Sequence, residues 1–163
     1  LLAICYYEQI VDEKKDIGPL LSAKEQFQFV IDNYPNTDFA LDSKYKIDLI
    51  NDVLASKEIF LGRYYMKKEK WVGAINRFKG VVENYDTTIY VEEALHRLVE
   101  IHYKLGLVDE AKKYASLLGY NYQSSRWYEA TYVIFNKEYE SPLKKKRKKG
   151  NFIIRKFKSL FQL

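Results

Sequence analysis

Between Phe60 and Tyr85 the chain shows two helical patterns separated by a short basic turn. Trp71, Ala74, Ile75, Phe78, Val81, Val82 and Tyr85 recur at the i, i+3, i+4, i+7 spacing that lines one buried face, predicting a helix over 71–85. Upstream, Ala23, Phe27, Val30 and Tyr34 carry the same rhythm over 20–34. Pro35-Asn36-Thr37 stops that helix, because Pro cannot continue it, and Asn36, Thr37 or Asp38 can cap the next. From 39 to 68 nothing breaks a helix except Gly62, and Tyr45, Leu49, Ile50, Val53, Leu54, Leu61 and Tyr65 form a continuous stripe. Such a helix would be roughly 45 Å long at about 1.5 Å per residue. Glu69-Lys70 turns it into the helix over 71–85. Further on, Leu95, Leu98 and Tyr103 share a helix closed by Gly106, and Val108-Asp109-Glu110-Ala111 opens another that carries Ala115 and Leu118. Residues 119–125 predict a break, and 127–135 a last helix that is apolar on most sides. At the other end, Leu2-Ala3 with Tyr6 and Tyr7 predicts a helix over 1–10, and the polar stretch 11–19 reads as a loop.

Leu61-Gly62-x-x-Tyr65 followed by Ala74-x-x-x-Phe78 resembles the tetratricopeptide repeat (TPR), in which small residues sit where two helices cross closely. Three alanines mark the second helix of each pair. The spacing is 51 residues from Ala23 to Ala74 and 37 from Ala74 to Ala111, against a usual period of about 34, the excess being the long helix and a short loop. The expected fold is all-α: a TPR-like solenoid of helical pairs, about three repeats, with a capping helix and a basic tail. Its expected divisions are 1–38 with a polar loop insertion, 39–87 with an extended first helix, 88–121, the capping helix at 122–138, and the tail at 139–163. Solenoids of this kind end in a helix laid over the last repeat.

Composition refines this picture in two ways. The 47% hydrophobic fraction excludes wholesale disorder, and no apolar run approaches the roughly 20 residues of a membrane-spanning helix. The net charge of +5 is an average over two unlike segments. Residues 141–163 hold nine Lys or Arg and no acid, whereas the remaining 140 residues carry 18 basic and 22 acidic groups. Lys144, Lys145, Lys146, Arg147, Lys148 and Lys149 run consecutively, and Arg155, Lys156 and Lys158 follow among Phe152, Ile153, Phe157, Leu160 and Phe161. A basic, amphipathic segment is attracted to an anionic lipid surface. Nucleic acid is not the expected partner, because aromatic residues to stack bases are missing from the basic run.

Residue clusters that carry catalysis are not found. The single Cys5 excludes an internal disulfide and a Cys-built metal site, and is expected as a buried helical residue. Leu2-Ala3-Ile4-Cys5 departs from a lipoprotein cleavage box at Ile4, and a first residue other than Met points to a piece of a longer chain. His96 and His102 lie about 240° apart round a helix, so they are expected as packing residues with no shared metal. Ser43-x-x-Lys46 and Ser141-x-x-Lys144 match a four-residue pattern that is weak without its companion motifs. No phosphate-binding Gly loop is present, and acid pairs such as Glu92-Glu93 sit in first turns, where they suit the helix dipole. The expectation is a non-enzyme without cofactors or metal.

The polar insertion in the first repeat, the sequence F-V-I-D-N-Y-P-N-T-D-F-A-L-D opening an overlong helix, and W-V-G-A-I-N-R-F-K-G-V-V-E-N-Y after it resemble the BamD family. These are outer-membrane lipoproteins of the bacterial β-barrel assembly machinery. The likeness covers roughly 1–135 and corresponds to the later repeats of the family. It implies a non-catalytic scaffold on the periplasmic face of the outer membrane, anchored by lipid on a part outside this sequence. The implied partners are the POTRA domains of a BamA-like barrel protein, smaller assembly lipoproteins, unfolded outer-membrane proteins and the inner leaflet. The family's Trp-x-x-x-x-Asn-Arg motif falls on Trp71, Asn76 and Arg77, and its Arg is implicated in a charge contact with BamA. Asn76 and Arg77 also lie off the apolar stripe and are expected to face outward, where an Arg offers a planar fork to a carboxylate. Two other readings remain open, a periplasmic TPR protein of the Tol-Pal system, whose repeats are more regular, and a cytosolic TPR adaptor using the tail on membrane or nucleic acid.

The tail yields a direct test. Deleting 141–163 is expected to lower affinity for anionic vesicles, measured by cosedimentation, with the loss largest at low salt. Equal binding with and without the tail would remove the membrane role.

Overall fold

The computed structural model describes residues 17–136. The expected helix over 1–10, Cys5 and the basic tail lie outside the described residues. Six helices follow one another: α1 (Gly18–Asn33), α2 (Asp38–Lys67), α3 (Trp71–Asn84), α4 (Val91–Lys104), α5 (Val108–Asn121) and α6 (Arg126–Phe135). The architecture is all-α and TPR-like, each helix packing on its neighbours along the array. The overlong helix expected at 39–68 is present as the 30-residue α2.

The connections repeat with nearly constant geometry. Each of the shorter helices α1, α3 and α5 ends at a tyrosine in the same backbone conformation: Tyr34 (φ −134°), Tyr85 (φ −138°) and Tyr122 (φ −137°). Three residues on, the amide of Thr37, Thr88 or Ser125 donates to that tyrosine's carbonyl. The Thr37 and Thr88 hydroxyls add a second bond to the same carbonyls, at 2.8 Å each. This explains why Asp86 can stand where the motif has Pro. The turn is closed by a hydroxyl and an amide, and Pro35 only pre-sets a conformation these bonds already specify. The turns after α2 and α4 also match. Lys70 donates to the Tyr65 carbonyl at 2.9 Å and Leu107 to the His102 carbonyl at 2.9 Å, the paired closure of a helix C-terminus. The central residue is left-handed in both, Gly106 at φ +79° and Glu69 at φ +57°. Glu69 therefore holds a position that glycine would occupy without strain.

Two apolar clusters fill the array. Leu20, Ala23 and Phe27 of α1 pack with Ile50 and Leu54 of α2. Further along, Ile59, Ala74, Phe78, Val81, Leu95, Leu98, Ile101 and Leu118 join α2 to α5. Two expectations change here. Ile50 is buried as expected, but Tyr45 and Leu49 are 64% and 52% exposed, and the buried stripe of α2's first half reaches Ile50 through Ala40 and Ser43. Among the described residues α1 covers only that side of the helix. The predicted break at 119–125 begins later, because α5 continues through Gly119 to Asn121. Gly119 permits a close approach, since a Cβ there would lie 2.9 Å from the Tyr128 ring of α6.

The α2–α3 crossing is close. A Cβ on Gly62 would lie 2.6 Å from two atoms of the Phe78 ring, and Phe78 is fully buried. Gly62→Ala is therefore expected to destabilise the chain by ~1–3 kcal/mol, the usual range for forcing bulk into a packed core. Gly80→Ala, with nothing within 4 Å of the added atom, is expected to be neutral or mildly stabilising. Thermal melts of both variants check the contrast, which equal shifts would contradict.

Candidate functional site

Because α2 and α3 cross at Gly62 and Phe78, Glu58, one turn before Gly62, faces Arg77, the residue preceding Phe78. The Arg77 Nη1 group donates to Glu58 Oε1 at 3.1 Å and Oε2 at 3.2 Å. The Glu58 bond, set against the desolvation that burial brings, raises the Arg77 guanidinium above its ordinary value, with smaller contributions from the Glu58 charge and Tyr65. Tyr65 itself lies against Gly73, where a Cβ would meet its ring at 3.4 Å. Glu58, Tyr65, Gly73, Asn76 and Arg77 line a recess of about 200 Å³. Asn76 is exposed at its edge.

Arg77 thus faces outward, as its place off the apolar stripe predicts, yet it is not freely solvated. Its side chain is 41% exposed and the Glu58 partner 23%. An ion pair this open contributes little stability, typically under about 1 kcal/mol. Its consequence is orientation: one nitrogen is held by Glu58 while the planar group stays at the mouth of the recess. Glu58 and Tyr65 are members of this site that the linear motif does not include. The signal for Glu58 is its position one turn from Gly62, given that Gly62 marks the crossing.

Trp71 sits elsewhere. Six residues round α3 from Arg77, about 240° away, it lines a separate groove with residues of α2, α4 and α6. Lys104 Nζ lies 4.3 Å from its ring centroid. The structure therefore brings Asn76 and Arg77 together and assigns Trp71 to a different surface.

The two histidines are buried between α4 and its neighbours, as packing residues should be. His96 Nδ1 lies 2.8 Å from Thr131 Oγ1 on α6, and His102 Nδ1 lies 2.7 Å from the Leu98 carbonyl. Two acids on α4 tie the array together. Glu93, 5% exposed, accepts bonds from Arg63 of α2 and Arg97 of its own helix. Glu92 accepts from Ser125, whose hydroxyl also caps α6 by accepting from the Trp127 amide at 3.1 Å. Among the described residues no cluster of three potential metal ligands occurs, and no helix is long and apolar enough to cross a membrane.

The chain is a TPR-like helical array that carries, on its helix surfaces, a recess built on an oriented arginine and the separate Trp71 groove. The sequence profile of the YfiO family, outer membrane lipoproteins, matches residues 1–117, and the chain belongs to that family. It is 52% identical over 132 residues to the outer membrane protein assembly factor BamD of Rickettsia prowazekii (strain Madrid E), covering 81% of this chain and 53% of that relative. With the same-named factor of Caulobacter vibrioides it shares 46% identity over 136 residues, 83% of this chain and 45% of the relative. The factor of Vibrio cholerae serotype O1 is 26% identical over 107 residues. The chain spans about half the length of the first two of these relatives.

Glu100 supplies a test of the electrostatics on α4. Burial alone would push its carboxyl up, but the nearby His96 ring and the hydrogen bond and charge of Arg97 outweigh burial and hold it below the ordinary carboxylate value of 4.5. A depressed folded-state pKa stabilises the fold above the unfolded value, and that contribution fades as pH falls through the folded one. Glu100→Gln is thus expected to reduce the urea midpoint at pH 7. The difference from wild type should shrink below about pH 4.5, where the unfolded carboxyl protonates. An offset constant from pH 7 to pH 3 would contradict this.

Proposed function

We propose that this chain is part of a non-catalytic scaffold subunit of the outer-membrane β-barrel assembly machinery. Arg77, with Asn76 beside it, binds an acidic side chain in the POTRA region of a BamA-like barrel protein. The observation that carries the site is the guanidinium held by Glu58 through Nη1 at the mouth of an open recess. A planar donor set fixed in this way suits a carboxylate, since Arg can serve two acids from different edges. Membership of the outer membrane lipoprotein family and the assembly-factor names of the relatives support the wider role. The scaffold acts at the periplasmic face of the outer membrane, anchored through lipid on a segment outside this sequence. In this reading the helical surface also meets smaller assembly lipoproteins and unfolded outer-membrane proteins, and the basic tail touches the inner leaflet.

The test is a calorimetric titration against the soluble POTRA domains from the same organism, at two salt concentrations. Arg77→Glu should weaken binding at least about tenfold, the scale for losing one partner of a desolvated charge pair. Arg77→Gln should give a smaller loss, and both variants should keep wild-type helicity by circular dichroism. Undiminished binding by folded Arg77→Glu would remove the site, and failure of the wild type to bind would remove the partner.

A further inference from the structure

The Trp71 groove has a volume of about 490 Å³ and lies between the ends of three helices and α4. Its apolar surface comes from Met66, Trp71, Tyr103 and Ile134, and Tyr103 is braced edge-on by Phe135 at 5.4 Å. Lys67 and Lys104 supply its positive charge, and among the described residues neither has a carboxylate partner. The one acid in the lining, Glu100, is already committed: Arg97 Nη1 lies 2.5 Å away and His96 Nε2 3.6 Å. Uncompensated charge in the groove is therefore cationic. Lys104 also lies over the Trp71 ring, at 4.3 Å.

We propose that this groove is a second docking site, distinct from the Arg77 recess, for a partner polypeptide segment that pairs an aromatic or aliphatic side chain with a nearby Asp or Glu. The apolar half of that segment enters between Trp71, Met66 and Tyr103, residue types enriched as anchors in interfaces. Its carboxylate meets Lys104 and Lys67, and displaces no internal ion pair in doing so. Desolvating Lys104 against Trp71 strengthens the existing cation–π contact as the groove fills. A peptide suits the place better than a lipid. The groove offers donors, an acceptor and ring faces within one open cleft, whereas an acyl chain needs an enclosed apolar channel.

The experiment uses the full 163-residue chain and short fluorescein-labelled peptides read by anisotropy. One peptide carries Phe, Leu and several Asp; a second replaces Asp by Lys; a third replaces Phe and Leu by Gly. Only the first should bind well. Trp71→Ala and the Lys67→Glu/Lys104→Glu pair should each weaken it at least about tenfold, as interface anchors do. Lys104→Gln, expected to keep the wild-type circular dichroism spectrum, should weaken it less, and Arg77→Glu should leave it unchanged. Equal binding of all three peptides, or no effect of folded Trp71→Ala, would overturn the proposal. Two further outcomes would also overturn it. Binding seen only after deletion of 137–163 would mean that the chain's own terminal segment fills the groove. Binding of phosphatidylglycerol vesicles that depends on Trp71, with no peptide binding, would make it a lipid site.

Discussion

The approach of Phe78 to Gly62 is the constraint on which the rest depends. With no Cβ at 62, the buried ring lies directly against the α2 backbone, so the two helices meet more closely than side chains on both would permit. That contact sets the register of the pair. It puts Glu58 opposite Arg77 and Tyr65 against Gly73, and with Met66 and Trp71 at the α2–α3 turn it completes the second groove. Both candidate surfaces are therefore consequences of one crossing, on different sides of α3.

The connections show how an irregular sequence period still gives a regular array. Ala23, Ala74 and Ala111 each precede, by eleven residues, the tyrosine that ends the helix. Those tyrosines share one backbone conformation although their spacing along the chain is uneven. Most of the uneven spacing is absorbed by the 30-residue α2. Conserving the turn matters more to such a fold than conserving the period, because each unit packs only on its neighbours.

Much of this was legible in the chain. The boundaries of α2 and α3, to within a residue, and the closure at Gly106 follow from spacing, and the role of Gly62 as a crossing residue follows from the likeness to the TPR motif. Tyr45 and Leu49 did not, since helical periodicity says which residues share a face but not which face a neighbour covers. Gly119 misled for a related reason: a glycine that ends a helix and one that admits a tyrosine ring from another helix look alike in one dimension. The site was half legible. Asn76 and Arg77 could be placed off the stripe, whereas Glu58 lies 19 residues away and becomes a partner only through the crossing. Trp71 sits close to Arg77 in sequence and far from it in orientation, which a linear motif cannot express.

In the proposed function, the α2–α3 face carrying Asn76 and Arg77 meets the POTRA region of the barrel protein. Photo-crosslinking in intact cells tests it most directly, with the crosslinking residue placed at Asn76 and, as a control, at Asp109, whose side chain is 94% exposed on α5. The account predicts an adduct with the barrel protein from position 76 and none from 109, with mass spectrometry mapping the adduct to a POTRA domain near an acidic residue. Adducts from 109 but not from 76, or adducts lacking the barrel protein at both positions, would contradict it.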